Sequence, residues 1–256
     1  MKALAPNLST TEDQLLSAMR PATMELLAAR ALLKRTDTKF AFPRSELEHV
    51  LRAMGDQFDL VLANGALVAT YQTVYFDTAE RWFFHQHRRG VRSRNKVRIR
   101  HYLDRQLGYL EVKTKNKYNI TSKARVPHLF SDFNLNSDDD SFVRGVVGQL
   151  QVEPSACVDF PRMTLVARNF NERITFDLGL SFHTPEKNVQ FPNVVIGEIK
   201  QERFQARSPG VLAVRSRRIR PKRMSKYCVA MSLLHGDLPN HRFRRPIREL
   251  MRQNDS

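Results

Sequence analysis

The chain has 256 residues, 41% of them apolar, and 42 Lys and Arg against 26 Asp and Glu, for a formal net charge of +16. The apolar content excludes bulk disorder, the lack of a run of about 18 apolar residues excludes a membrane-spanning helix, and the charge points to a polyanionic partner: nucleic acid, polyphosphate, a nucleotide or an acidic membrane surface. Two distant cysteines, Cys157 and Cys228, belong to no CxxC and read as reduced thiols. The N-terminus carries Glu12 and Asp13 and lacks the apolar core of a signal peptide, so a cytoplasmic location is expected. No Gly/Ser/Pro-rich linker divides the chain, which predicts one domain over 35–236, a helical segment over 1–34 and a basic tail over 237–256.

In chain order, Leu15, Leu16, Met19, Leu26, Leu27, Leu32 and Leu33 recur near the helical period, which predicts a helix over 11–34 with Thr11 as N-cap and a break at Pro21. Residues 36–42 read as a strand stopped by Pro43, and Ser45 opens a short helix to about Met54. Residues 67–76, rich in β-branched and aromatic side chains, predict a strand. Asp77-Thr78 caps a helix that ends at Gly90; on it His85 and His87 point apart. Strands follow at 95–103, 107–117 and 119–127. A polar loop with Asp138, Asp139 and Asp140 caps a helix to about Leu150. Strands at 162–170, 172–178 and 194–201, helices at 208–217 and 225–234, and a loose tail complete the chain. Seven or eight strands with short, mostly antiparallel connections and intervening helices make the fold α+β. Basic positions on short-turned neighbouring strands favour closure into an antiparallel β-barrel of about 8 strands with helices packed outside.

The stretch 95–126 says most about function. Lys96, Arg98 and Arg100 alternate, as do Glu111, Lys113, Lys115 and Lys117, then Lys123 and Arg125, while Val97, Ile99, Leu110 and Val112 take the other positions. Alternate residues of a strand share a face. Three adjoining strands of one charge repel unless an anion lies between them. Lys39, Arg168, Arg173 and Lys200 extend the set, and Ser225-Lys226 opens a helix whose free N–H groups favour an anion. Guanidinium forks and mobile ammonium groups suit phosphate oxygens, and neutralising their charge is most of what phosphoryl transfer requires. Glu198 and Glu111 stand among these basic positions and are the metal candidates.

With these residues the chain resembles the VTC domain of polyphosphate polymerases, within the CYTH-like triphosphate tunnel superfamily, over about residues 35–235. The family's Arg-x-Glu-x-Lys-aromatic strand is similar to Arg35-Thr36-Asp37-Thr38-Lys39-Phe40, and its Tyr-Phe-Asp-Thr signature to Tyr75-Phe76-Asp77-Thr78. Its Arg-x-Arg, Glu-x-Lys and Lys-x-Arg strands are similar to Arg98-Ile99-Arg100, Glu111-Val112-Lys113 and Lys123-Ala124-Arg125. A later Arg and Arg-x-Thr-x-Asp match Arg168 and Arg173-Ile174-Thr175-Phe176-Asp177; Glu198-Ile199-Lys200 and Ser225-Lys226 finish the series. Asp37 stands where Glu is usual, Val166 where members often carry an aromatic residue near the nucleotide base, and Lys115 where some have His.

The resemblance implies a β-barrel tunnel through which a phosphate chain runs, and transfer of the ATP γ-phosphate onto growing inorganic polyphosphate with Mn²⁺ or Mg²⁺. It implies that Lys39, Arg98, Arg100, Lys113, Lys123, Arg168, Arg173 and Lys226 bind phosphates, with Ser225, Arg125 and Lys200 as secondary contacts, and that Glu198 holds the metal. ATP and inorganic polyphosphate or triphosphate are the implied partners, the inner face of the membrane is an implied location, and a membrane partner that carries polymer away would be a separate chain. Two readings share the same residues: a metal-dependent triphosphatase or polyphosphatase in which water attacks, and a non-catalytic module that grips polyphosphate or RNA.

Overall fold

Strand alternation sets the architecture. A computed structural model describes residues 8–31, 36–118 and 120–256. In chain order these form α1 (Thr10–Ser17), α2 (Met24–Ala29), β1 (Thr36–Pro43), α3 (Leu47–Met54), β2 (Phe58–Leu60), β3 (Ala69–Asp77), α4 (Trp82–Arg89), β4 (Arg94–Tyr102), β5 (Leu107–Lys115), β6 (Thr121–His128) and α5 (Ser137–Val147). Then come β7 (Glu153–Ala167), β8 (Glu172–His183), β9 (Asn188–Gln201), α6 (Pro209–Ser216), α7 (Lys226–Leu234) and α8 (Arg244–Asn254). All strand pairs are antiparallel, in the order β1-β9-β8-β7-β3-β4-β5-β6, with β2 paired to β7. The fold is the α+β antiparallel tunnel expected from the sequence. Among the described residues β1 and β6 do not pair, so the sheet curls into a barrel that hydrogen bonds do not close.

The two faces of the curled sheet have different fates. On the outside, Phe40, Phe42, Leu165, Phe176 and Ile199 pack against Leu16 of α1, Val50 of α3 and Val211 of α6. Also outside, Val97, Ile99, Leu110 and Val112 bury beneath Phe83 of α4 and Val143 of α5. One helix departs from the expected outside position. The inner face becomes apolar at Val158, Phe160, Leu180, Phe182, Val194 and Ile196, and α7 fills it there, with α8 behind. Seven of the nine α7 residues are buried, and a helix apolar on nearly every side has only an interior to occupy. Asp77 fixes that docking. Its buried carboxylate accepts from the backbone N–H of Thr78 (2.8 Å), Phe83 (2.8 Å) and Phe84 (3.0 Å), and the Tyr227 hydroxyl of α7 donates to it. The Tyr-Phe-Asp-Thr signature therefore ties the start of α4 to α7.

Several expectations shift. Ser9, not Thr11, caps α1 in a reciprocal capping box with Glu12. The break at Pro21 is real, while Leu32, Leu33 and Arg35 lie outside the described residues. Asp139 completes a capping box with Asn136, so the aspartates form the first turn of α5. β2 has no counterpart in the sequence reading, and β7, β8 and β9 run longer than expected. The closing segment is not loose: α8 buries Ile247 and Leu250, and the Gln253 side chain donates to the Ala41 carbonyl at 2.8 Å. No helix among the described residues is long and apolar enough to cross a membrane.

Two glycines give a direct check of the packing. Gly210 N donates to the buried Glu172 carboxylate at 2.8 Å, Glu172 also accepts from Ser208 and from Gln201 (2.7 Å), and a Cβ on Gly210 would meet Ile174 Cδ1 at 2.2 Å and Glu172 Oε1 at 2.5 Å. Gly210→Ala should destabilise by about 1–3 kcal/mol. Gly145 lies exposed in α5 with nothing within 4 Å of a Cβ, so Gly145→Ala should stabilise by about 0.5–1 kcal/mol. Urea unfolding of both variants reads the two signs; a neutral Gly210→Ala would show that the Glu172 cluster is not locked.

Candidate active site: a cation-lined chamber

The inward positions of six strands and the start of one helix converge. β1 supplies Asp37 and Lys39, β3 Tyr75, β4 Lys96, Arg98 and Arg100, β5 Lys113, β7 Arg162, β9 Glu198 and Lys200, and the start of α7 Ser225 and Lys226. They line a cavity of about 170 Å³, well above the ~10–15 Å³ that one water needs. A smaller cavity of about 110 Å³ shares Arg162 and Lys200 and adds Ala31, Tyr71, Thr164, Arg173 and Thr175. The Thr175 hydroxyl is buried there with no hydrogen-bond partner among the described residues. The barrel centre is thus a polar passage, stopped on one side by α7.

Register explains the convergence. Lys39 faces Glu198 across β1–β9 and Asp37 faces Lys200, while Thr175 and Arg173 of β8 continue the same two rows. On the other wall Arg98 lies opposite Glu111 and Lys96 opposite Lys113. The segment before α7 fills the seam beside β1: Lys222 N–H donates to the Lys39 carbonyl at 2.7 Å, and Lys39 Nζ to the Met224 carbonyl at 3.4 Å. Lys96 Nζ reaches across to Ser225 Oγ at 3.0 Å.

Eight cations and two carboxylates line the main cavity, and two further carboxylates hold the cations in place. Glu111 is fully buried; it accepts from Arg98 Nε at 2.7 Å and Nη2 at 2.5 Å, and from Lys123 Nζ at 2.6 Å. Burial alone would raise its pKa, but Arg98, Arg100 and Lys123 hold it well below the usual carboxylate range. Asp177 accepts from Arg162 Nε at 2.5 Å and Nη2 at 2.8 Å and from Lys226; burial opposes its charge, yet Arg162 and Lys226 hold its pKa down at about 2. Aromatic rings support the same guanidinium groups. Arg162 lies over Tyr71 and Phe160 with its carbon 5.0 and 5.2 Å from the ring centroids, and Arg100 lies 5.3 Å from Tyr71. Arg100 also donates to Thr73 Oγ1 at 3.1 Å.

Like charges leave their mark on the remaining groups. The Arg98 field, burial and the Arg100 field push the Lys113 ammonium pKa well below its ordinary value, and burial depresses Lys96 and Lys226. Glu198 is opposed by burial but held far below the usual carboxylate range by Lys200, Lys39, Arg162 and Lys226. It meets these cations through the field rather than through a direct bond. Burial would raise the Tyr75 phenol, but Arg98, Arg100 and Lys96 bring it down to about 8.

Of the residues singled out from sequence, Lys39, Arg98, Arg100, Lys113, Lys200, Ser225, Lys226 and Glu198 line the main cavity, and Arg173 lines the smaller one. Four sit elsewhere. Arg168 follows the end of β7, where its Nε donates to Asp59 at 2.6 Å in a cluster shared with Arg20. Lys123 is absent from the lining and acts through Glu111. Arg125 is an exposed edge-strand residue whose guanidinium lies 4.7 Å from the Tyr109 centroid. Glu111 has both oxygens engaged by cations, so it positions Arg98 rather than offering itself to a metal. Sequence reading missed Arg162, Tyr75 and the inward place of Asp37. Arg162 follows Pro161 at a register shift of β7; a proline inside a strand run signals a bulge, and that was the available clue.

Ultraviolet titration of the phenols should resolve one group with a midpoint near 8 that vanishes in Tyr75→Phe. Saturating tripolyphosphate should move that midpoint upward, because a bound anion cancels the cations that favour the phenolate. A Tyr75 midpoint at 10 or above without ligand would show that the chamber cations do not act on it.

Three solved structures are similar to this chain in fold. A Hippeastrum protein described as a candidate adenylyl cyclase with a dominant triphosphatase activity aligns at 16% identity over 81% of this chain and 99% of its own, with a TM-score of 0.48. A Bacillus halodurans protein described as a candidate adenylate cyclase aligns at 8% identity over 75% of this chain and 94% of its own, TM-score 0.47. A Pyrococcus horikoshii protein aligns at 10% identity over 77% and 99%, TM-score 0.43. No curated protein matches the sequence. The VTC domain profile matches residues 34–235, which spans every strand of the sheet and all of α7. The chain belongs to the VTC domain family.

Proposed function

We propose that this protein is an ATP-dependent polyphosphate polymerase-type phosphotransferase, working in the cytoplasm and drawing its substrates, ATP and inorganic polyphosphate, into the basic chamber. The observation that carries the reading is the gathering of Lys39, Lys96, Arg98, Arg100, Lys113, Arg162, Lys200 and Lys226 around one cavity. A terminal oxygen of the polyphosphate attacks the γ-phosphorus of ATP. The bond from that phosphorus to the β–γ bridging oxygen breaks, and ADP leaves with the chain one unit longer. Arg98, Arg100 and Arg162, fixed by carboxylates and rings, hold phosphoryl oxygens in line. Lys39, Lys113 and Lys226 neutralise the charge that shifts toward the bridging oxygen. Ser225 and the free N–H groups at the start of α7 support a phosphate from the end of the chamber.

The residues present fit a divalent metal that arrives with phosphate. Among the described residues no group of three Asp, Glu, His or Cys gathers as a self-sufficient site. Mg²⁺ and Mn²⁺ at phosphates take only one or two carboxylates, with water and phosphate oxygens supplying the rest. Glu198 on β9 would hold the ion, with Asp37 on the adjoining β1. When bound, the metal polarises phosphoryl oxygens and offsets their charge.

The chamber stopped by α7 also suits hydrolysis, with water in place of the polymer end, because a triphosphate needs only one mouth. Incubation with ATP and Mn²⁺ followed by gel electrophoresis separates the two: a polymer ladder supports the polymerase, and orthophosphate from tripolyphosphate without a ladder supports the hydrolase. Arg98→Ala with Arg100→Ala should abolish turnover with the circular dichroism spectrum retained, and Glu198→Gln should lower turnover at least about a hundredfold. Full activity in the double variant would contradict the chamber as the site of chemistry.

A further inference from the structure

A further basic cavity adjoins the chamber on the side of α8. It measures about 360 Å³ and lies between residues 220–224 and α8, lined by Arg220, Lys222, Arg223 and Arg245 with Glu249 among them. Glu249 is shared by Lys222 at 2.9 Å and Arg245 at 3.3 Å. Arg220 and Arg223 are exposed and make no ion pair among the described residues. The groove therefore keeps an excess of positive charge that no carboxylate among the described residues offsets.

Its position relative to the chamber gives that charge a use. Met224 lines the groove and the next residue, Ser225, lines the chamber. Ala41 lines the groove and Lys39 the chamber, two residues apart on the same face of β1, about 7 Å along the strand. One run of cations thus passes from Lys39 and Lys226 over the seam to Lys222, Arg223 and Arg220. The groove has no aromatic lining residue, so it lacks the stacking platform that single-stranded nucleic acid uses. Guanidinium and ammonium groups without stacking suit a ligand that is all phosphate.

We propose that this groove is a second polyanion site, which holds the stretch of a linear inorganic polyphosphate extending beyond the chamber. The inference rests on the phosphate-chain reading of the chamber and adds to it a place where chain length is sensed. A triphosphate fits within the chamber and leaves the groove untouched, whereas a longer chain engages both. Affinity then rises with length through the cations outside the reaction centre.

The test compares binding of tripolyphosphate, long-chain polyphosphate and a single-stranded RNA oligonucleotide to the full chain, with Arg220→Gln plus Arg223→Gln set against wild type and against Arg98→Ala. In the groove variant, long-chain affinity should fall about tenfold at low salt, and its salt slope should shrink by roughly one to two. Tripolyphosphate affinity and turnover should stay at the wild-type value. Unchanged long-chain affinity would overturn the proposal, as would an equal loss for both chain lengths, or a loss for RNA alone. Arg98→Ala isolates the other reading: tripolyphosphate affinity that survives it contradicts the chamber, whatever the groove variant shows.

Discussion

Mutual repulsion among buried cations is the constraint on which the rest of this structure depends. Eight Lys and Arg side chains line one cavity against Asp37 and Glu198, with Glu111 and Asp177 bound behind them. Among the described residues these eight cations outnumber the four carboxylates by about four, in surroundings where like charges are poorly screened. The Lys113 ammonium, depressed first by Arg98, and the Tyr75 phenol, acidified by Arg98, Arg100 and Lys96, express that surplus, while burial is the larger cause at Lys96 and Lys226. A short phosphate chain, with roughly one to two negative charges per phosphoryl group, offsets it. The carboxylates divide accordingly. Glu111 and Asp177 are bonded directly and keep Arg98 and Arg162 in place, whereas Glu198 faces its cations through the field and lines the cavity itself.

The fold supplies the walls for this arrangement by giving the sheet two different linings. Outward positions are apolar and covered by α1, α3, α4, α5 and α6. Inward positions are apolar only where α7 enters and basic elsewhere. The same helix that plugs the barrel presents Ser225 and Lys226 to the chamber, so the position of two site residues depends on the Asp77–Tyr227 contact at its base. Packing and chemistry meet in that one helix.

Much of this was legible from residue alternation. The period of two in 95–126 gave strands, faces and the sign of the charge together, and the observed register places Lys96, Arg98, Arg100 and Lys113 on one wall. Three things were not legible. The direction that the curled sheet takes at its edges decides that Arg125 and Lys123 reach the rim while their neighbours on β5 stay inside. The bulge beside Pro161 decides that Arg162, rather than Arg168, enters the chamber; Arg168 is drawn off by Asp59 on β2, a three-residue strand too short for a periodic signal. Whether a carboxylate serves a metal or an arginine depends on its partner across the strand, which no spacing along one strand shows: Glu111 faces Arg98, Glu198 faces Lys39. The closing helix α8 was hidden by its arginines, since only Ile247 and Leu250 of its residues are buried.

If the surplus charge is real, a phosphate chain must stabilise the folded protein. Thermal unfolding with and without tripolyphosphate, at matched ionic strength, measures this most directly. Ligand at about a hundredfold over its Kd adds about 2.7 kcal/mol, and the account predicts a rise in Tm of roughly 5–10 °C. No rise, or an equal rise with sulfate at the same ionic strength, would contradict a chamber built to hold linked phosphates.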